Sequence, residues 1–208
     1  MHDAVFFDLD GTLVDTESIA LDAGLAAFAA HGHPVSRAFL ESLIGRDEPT
    51  AEAMVRAALP GIDLAAVSRM QRTAFMARVD AGLPLKPGAA ALLARLTVPL
   101  AIVTSSRRES AAHKLAVAGI AGAFTHVVVL EDVAAAKPAP DPYLVAAARF
   151  GLPPDRCLAF EDSETGAEAA HRAGCTVVQV PDILPSQGRW AHHLAPDLLT
   201  GARLAGLI

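Results

Sequence analysis

The sequence predicts an α/β protein, a mainly parallel sheet whose first strand is followed by a long helical insert. Two observations carry this prediction. Short apolar runs alternate with longer amphipathic segments along much of the chain, the pattern of strands joined by right-handed helical crossovers. One interval, from about Thr16 to Leu85, breaks that rhythm and holds no good strand signal.

The first strand is expected at residues 4–7, the apolar run Ala4-Val5-Phe6-Phe7. The insert follows. Its amphipathic stretches at 17–30, 36–43, 50–58 and 64–79 read as helices, broken at Gly32-His33-Pro34, Pro49, Pro60-Gly61 and from Pro84 to Pro87-Gly88. Residues 16–85 are therefore expected to form a helical domain, and 1–15 with 86–208 the sheet domain, with hinges at the two junctions. Further strands are expected at 100–103, 127–130, 157–160 and 176–180, and helices at 109–118, 142–150 and 165–173. Pro140 and Pro142 suit a helix start, and Gly119, Gly151 and Gly174 suit helix ends. The tail beyond Pro181 is weakly patterned, and Trp190-Ala191-His192-His193 reads as a loop.

Composition narrows the function classes. The 208 residues are 52% hydrophobic and 19% charged, which places the chain among globular proteins. A net charge of -6 with no basic run argues against a nucleic-acid or anionic-membrane surface. The apolar stretches are far shorter than the ~20 residues that span a bilayer, and the N-terminus has no charged-then-apolar signal design. Cys157 and Cys175 sit in apolar runs and read as buried free thiols. A cytoplasmic protein is expected. A monomer or weak dimer is expected, and the lack of a heptad or exposed-strand signal leaves the choice between them open.

Four separated segments carry chemistry. Asp8-Leu9-Asp10-Gly11-Thr12 follows the first strand, Thr104-Ser105-Ser106 the second, and Glu161-Asp162-Ser163 the run Cys157-Leu158-Ala159-Phe160; Lys137-Pro138 lies in the loop after residues 127–130. Each has an ordinary reading alone: a turn, a helix N-cap, a solvated lysine, a helix start. Their coincidence in this order is the informative fact, because a parallel sheet gathers its reacting groups beyond the carboxyl ends of the strands. Carboxylates from two segments make the hard oxygen site that Mg²⁺ prefers. Asp8 could attack phosphorus, since a carboxylate can serve as a covalent nucleophile. Asp10 could protonate a leaving oxygen and later deprotonate the incoming one. Thr104 and Lys137 would hold the equatorial phosphoryl oxygens. Gly11 suits a tight turn after the acids. The expected partner is a small phosphorylated metabolite, not nucleic acid or a membrane.

These residues resemble the four motifs of the haloacid dehalogenase-like (HAD) superfamily of phosphotransferases: Asp8-Leu9-Asp10-Gly11-Thr12-Leu13-Val14-Asp15-Thr16, Thr104-Ser105-Ser106, Lys137-Pro138 and Glu161-Asp162-Ser163. The likeness covers nearly the whole chain, and the helical insert looks like the superfamily's C1-type cap. The stretches Val133 to Asp141 and Phe160 to Ser163 are similar to the branch of β-phosphoglucomutase and the sugar-phosphate phosphatases around it. The resemblance implies a Rossmann-like core, Mg²⁺ dependence and an aspartyl-phosphate on Asp8. It implies metal ligation by Asp8, the backbone carbonyl of Asp10 and Asp162, with Glu161 supporting the metal shell. Thr104, Ser105 and Lys137 are expected to bind phosphate, and Arg46 could contact an anionic substrate. Asp10 separates the chain from the dehalogenases, which lack that second acid, and from phosphonate-cleaving members, which carry a small residue there.

Two departures bear on hydrolysis against mutase chemistry. In β-phosphoglucomutase the cap supplies an arginine within a Gly-x-Ser-Arg pattern. Here Leu43-Ile44-Gly45-Arg46-Asp47-Glu48-Pro49 has Arg46 directly after the glycine and acids where that arginine would fall. Ala20 stands where a histidine is expected near the start of the first cap helix. The expected activity is therefore a Mg²⁺-dependent phosphatase acting on a sugar or polyol phosphate, with a β-phosphoglucomutase-type phosphomutase as the alternative.

Overall fold

The structure, a computed structural model, describes residues 2–44, 46 and 48–208, Glu48 without its side chain. The chain runs through β1 (Ala4–Phe7), α1 (Thr16–Ala30), α2 (Arg37–Glu41), α3 (Glu48–Ala58), α4 (Leu64–Ala81) and α5 (Ala89–Leu93). It continues through β2 (Leu100–Val103), α6 (Arg108–Val117), β3 (His126–Val128), α7 (Asp141–Phe150) and β4 (Cys157–Glu161). It ends with α8 (Glu164–Ala173), β5 (Thr176–Gln179), β6 (His193–Leu194) and α9 (Leu198–Leu204). Two compact units result, one of Met1–Asp15 with Leu83–Ile208 and one of Thr16–Gly82.

The first unit is a Rossmann-like α/β layer built on one parallel sheet, in the order β3-β2-β1-β4-β5-β6. The chain fills one side of β1 with β2 and β3, then crosses to the other side with β4. The strand order therefore reverses at β1, the place where open α/β sheets leave a crevice beyond the strand ends. Register fixes what meets there. Phe7 pairs with Ile102 on β2 and with Phe160 on β4. One residue further on, Asp8 N–H donates to Phe160 O at 3.0 Å, so Asp8 lies level with Glu161.

Strands of a parallel sheet are covered on both faces and need no polar alternation; β1, β2 and β4 are buried at every residue. One face packs Phe6, Val103 and Ala159 against Tyr143 and Ala146 of α7 and Ala167 and Ala170 of α8. The alanines let these helices approach closely. On the other face Phe7 and Phe160 stack at 5.0 Å. Gly201 of α9 fits there because a Cβ would lie 2.4 Å from Val178 Cγ1. Ser163 caps α8 by accepting from Gly166 N–H at 3.1 Å.

The second unit is helical. α1 packs on α4, and Gly24 of α1 admits Leu40, whose Cδ1 would be 3.0 Å from a Cβ there. Asp22 pairs with Arg37 at 2.9 Å and Arg78 at 3.3 Å, while Ser36 and Asp63 cap α2 and α4. A cavity of about 310 Å³ opens inside this unit, lined by Leu21, Phe28, Leu40, Val55, Val67 and Gln71 among others.

Several details differ from the sequence expectation. β3 ends at Val128 rather than at residue 130, because Leu130–Asp132 forms a 3₁₀ turn closed by Val129 N–H on Asp132 Oδ2 at 3.2 Å. The tail is not a loop throughout. His193–Leu194 adds β6 to the sheet edge, and α9 follows behind an Asp197 cap. α5 also had no expectation. Residues 83–85 pair back to the first unit, with Asp15 N–H donating to Pro84 O at 3.0 Å. Among the described residues no helix is long and apolar enough to cross a membrane.

Candidate active site

Beyond the carboxyl ends of β1 and β4 the sheet unit concentrates acids around one lysine. Lys137 reaches in from the loop before α7. Its Nζ donates to Asp8 Oδ1 at 2.7 Å, Glu161 Oε1 at 2.6 Å and Val103 O at 2.8 Å. All three ammonium hydrogens therefore have protein acceptors, so a phosphoryl oxygen can bind Lys137 only by displacing one. Tyr143 of α7 donates its hydroxyl to the same Glu161 Oε1. Glu161 closes β4 and is fully buried.

Glu161 Oε2 has no hydrogen-bond partner among the described residues. It lies over Gly166, where a Cβ would stand 1.9 Å away. Asp162 accepts from Thr12 Oγ1 at 3.2 Å. Gly11, at φ 83°, passes beside it, where a Cβ would stand 2.5 Å from Asp162 Oδ2. Only glycine combines that backbone with that approach. Asp182 lies next to the same turn, with Lys86 donating to its Oδ1 at 2.6 Å.

Asp8, Glu161 and Asp162 each bring an oxygen within 4.8 Å of the others. Burial raises the Asp8 carboxyl well above the usual range; Glu161 and Asp162 raise it further and Lys137 opposes them. Burial and then Glu161 push Asp162 up to about 7. Lys137 is raised despite its burial, because Asp8 and Glu161 surround it. One ammonium does not balance this many carboxylates. A divalent cation fits, because the donors are hard oxygens, one buried oxygen lacks a partner among the described residues, and burial and mutual repulsion raise two of the acids.

Asp10 points to a different set of partners. Lys114 Nζ donates to both of its oxygens, at 2.7 and 2.8 Å, and Ser106 Oγ donates to Oδ2 at 2.8 Å. Thr104 is buried, and its Oγ1 accepts from Ser106 N–H at 3.0 Å, leaving its hydroxyl hydrogen able to donate. Ser105 is exposed. Arg46 belongs to the helical unit, is exposed, and donates from Nε to Ser42 O at 3.4 Å. Its neighbours Gly45 and Asp47, on which the comparison with the mutase arginine turns, lie outside the described residues.

Sequence reasoning missed Lys114 and Tyr143. Both carried a signal. Lys114 is a cation on a helix face with buried Ala111 and Leu115, and Tyr143 is the chain's one tyrosine, on the apolar side of α7.

A family model of haloacid dehalogenase-like hydrolases matches residues 2–174. A Drosophila melanogaster protein named "Probable pseudouridine-5'-phosphatase" is 37% identical over 198 residues, covering 89% of this chain and 84% of its own. Hexitol phosphatase A of Escherichia coli K12 is 33% identical over 178 residues, covering 84% and 81%. The solved structure of a mutant of CbbY from Rhodobacter sphaeroides in complex with xylulose-(1,5)bisphosphate superposes with a TM-score of 0.74 at 28% identity, covering 100% of this chain and 99% of that one. With a family model over most of its length and relatives more than 30% identical over at least four fifths of each chain, the chain belongs to the haloacid dehalogenase-like hydrolases.

Proposed function

We propose that this hydrolase is a Mg²⁺-dependent phosphatase that releases phosphate from a small phosphorylated metabolite, a sugar or polyol phosphate, through an aspartyl-phosphate on Asp8. The observation that carries the reading is the Lys137 ammonium shared between Asp8 and Glu161 at the point where the strand order reverses. The relatives support the class: one named "Probable pseudouridine-5'-phosphatase", a hexitol phosphatase, and a protein crystallised with a sugar bisphosphate.

Asp8, Asp162 and the Asp10 carbonyl would hold the metal, with Glu161 beside them. The bound cation supplies charge neutralisation between the carboxylates and the phosphoryl oxygens. Asp8 attacks phosphorus in line with the leaving oxygen, and Asp10 gives that oxygen a proton. Lys137 orients Asp8 and exchanges one of its acceptors for a phosphoryl oxygen, while Thr104 donates to another. Ser105 contributes to the same oxygens from the loop. A water deprotonated by Asp10 then attacks phosphorus and frees Asp8. The helical unit, with Arg46, selects the substrate.

The test is phosphate release from a panel of sugar, polyol and nucleoside monophosphates, with and without Mg²⁺, using Asp8→Asn protein as the blank. Release confined to a few sugar or polyol phosphates, dependent on Mg²⁺ and absent in the blank, is expected. Equal signals from wild type and blank would overturn hydrolysis at Asp8. Isomerisation of a sugar 1-phosphate without phosphate release would replace hydrolysis with phosphoryl transfer.

A further inference from the structure

Asp10 is gripped on both carboxylate oxygens by a lysine outside all four sequence motifs. Lys114 reaches it from α6, 104 residues along the chain. The Lys114 side chain is only 10% exposed, while that of Asp10 keeps 25%. Burying a lysine beside Ala111 and Leu115 is costly unless it meets an anion, and here the anion is Asp10. Ser106 joins the two. Its hydroxyl donates to Asp10 and accepts from Lys114 at 3.1 Å. Ser106 is itself fixed, because its N–H is bound to Thr104 Oγ1 and Thr104 N–H is bound to Val128 O at 3.0 Å. The direction of the Asp10 carboxylate is thus tied to the ends of β2 and β3 and to α6, while part of it stays open to an incoming group.

We infer that Lys114 is a positioning residue: with Ser106 it presets the Asp10 carboxylate for the proton transfers of the phosphatase reaction. This rests on the phosphatase reading above. Lys114 acts through Asp10 rather than on the phosphoryl group. Displacing a catalytic group by about 1 Å can cost about 10²-fold in rate.

Leaving-group chemistry tests the inference. A sugar alkoxide needs a proton to depart, whereas p-nitrophenolate does not. The value of kcat/KM, which covers the steps up to departure, is compared for a sugar phosphate and p-nitrophenyl phosphate in wild type and Lys114→Met. A fall of about 10²-fold on the sugar phosphate is expected, within the range of general acid catalysis, with a fall below about tenfold on the aryl phosphate. In an Asp10→Asn background Lys114→Met should have no further effect, as expected of residues acting as one unit. Equal losses on both substrates, or an added loss in the Asp10→Asn background, would assign Lys114 to structure alone and overturn the inference. If Lys114→Met does not fold, Lys114→Gln, which keeps a donor at that site, is expected to show the same selectivity with a smaller loss. The wild-type assay separates the two readings. Wild type inactive on both substrates defeats the phosphatase reading; active wild type with unchanged selectivity in the variants defeats only the role of Lys114.

Discussion

Lys137 and Glu161 meet at 2.6 Å inside the sheet unit, and the same ammonium holds Asp8 at 2.7 Å. The lysine side chain is 6% exposed and the glutamate side chain 1%, so water does not share in their charge balance. Removing one member of a buried ionic group leaves the others uncompensated. Lys137→Met is therefore expected to abolish phosphate release and to cost about 3–5 kcal/mol of stability without metal. Urea unfolding in EDTA at neutral pH measures the second effect. A cost under ~1 kcal/mol, the range of an exposed pair, would mean that Lys137 does not balance these acids.

Gly166 is the second test of the Glu161 environment. In an exposed helix interior, glycine to alanine stabilises by up to about 1 kcal/mol. Here the added Cβ would fall 1.9 Å from Glu161 Oε2. That carboxylate cannot retreat freely, since Lys137 and Tyr143 hold its other oxygen. The sign is expected to reverse, with Gly166→Ala destabilising by about 1–3 kcal/mol, as overpacking does, and weakening Mg²⁺ binding. Thermal unfolding decides it: a Tm equal to or above that of wild type would show that the carboxylate does not lie over α8.

Tyr143→Phe makes a milder change. It removes one donor from Glu161 Oε1 but leaves Lys137 in place. A loss of about 1.5–3 kcal/mol is expected, the range for a hydrogen bond to a charged group, with turnover reduced far less than in Lys137→Met. A loss of activity matching Lys137→Met would give the tyrosine a direct part in the chemistry.

The residues that sequence reasoning found and missed divide by how they reach the site. Asp8, Thr104 and Glu161 stand at or just beyond strand ends, where an apolar run followed by a polar residue is visible in one dimension. Lys114 and Tyr143 arrive from helices, and only the crossover topology aims them at β1 and β4. β6 was illegible for another reason. It is two residues long, its Leu194 is exposed, and it is held by backbone bonds, His192 N–H to Val177 O and Ala195 N–H to Gln179 O, both at 2.9 Å. No side-chain pattern encodes such an edge. α5 and α9, of 5 and 7 residues, are too short for a helical period to show. The loop beyond β3 turned on Asp132, whose carboxylate closes its own turn and binds Arg149 at 3.0 Å.

The pH dependence of stability follows from Asp8 and Asp162. Both carboxyls are raised in the folded protein, Asp162 from the ordinary 3.8 to about 7. An acid with a higher pKa folded than unfolded binds more protons when folded, so stability falls as pH rises between the two values. Metal-free protein is therefore expected to lose stability from about pH 4 to about pH 7. His2 and His192 are lowered by burial and act in the opposite direction near neutrality. Asp162→Asn keeps both histidines, so subtracting its profile from that of wild type leaves Asp162 together with its effect on Asp8. The difference in urea midpoint between wild type and Asp162→Asn should shift against wild type as pH rises through this window. Saturating Mg²⁺ should cancel the shift, because the cation binds the ionised carboxylates of the folded state and stabilises it by mass action. Parallel profiles for the two proteins in EDTA, or no response to Mg²⁺ at high pH, would mean that Asp162 is not part of a cation site.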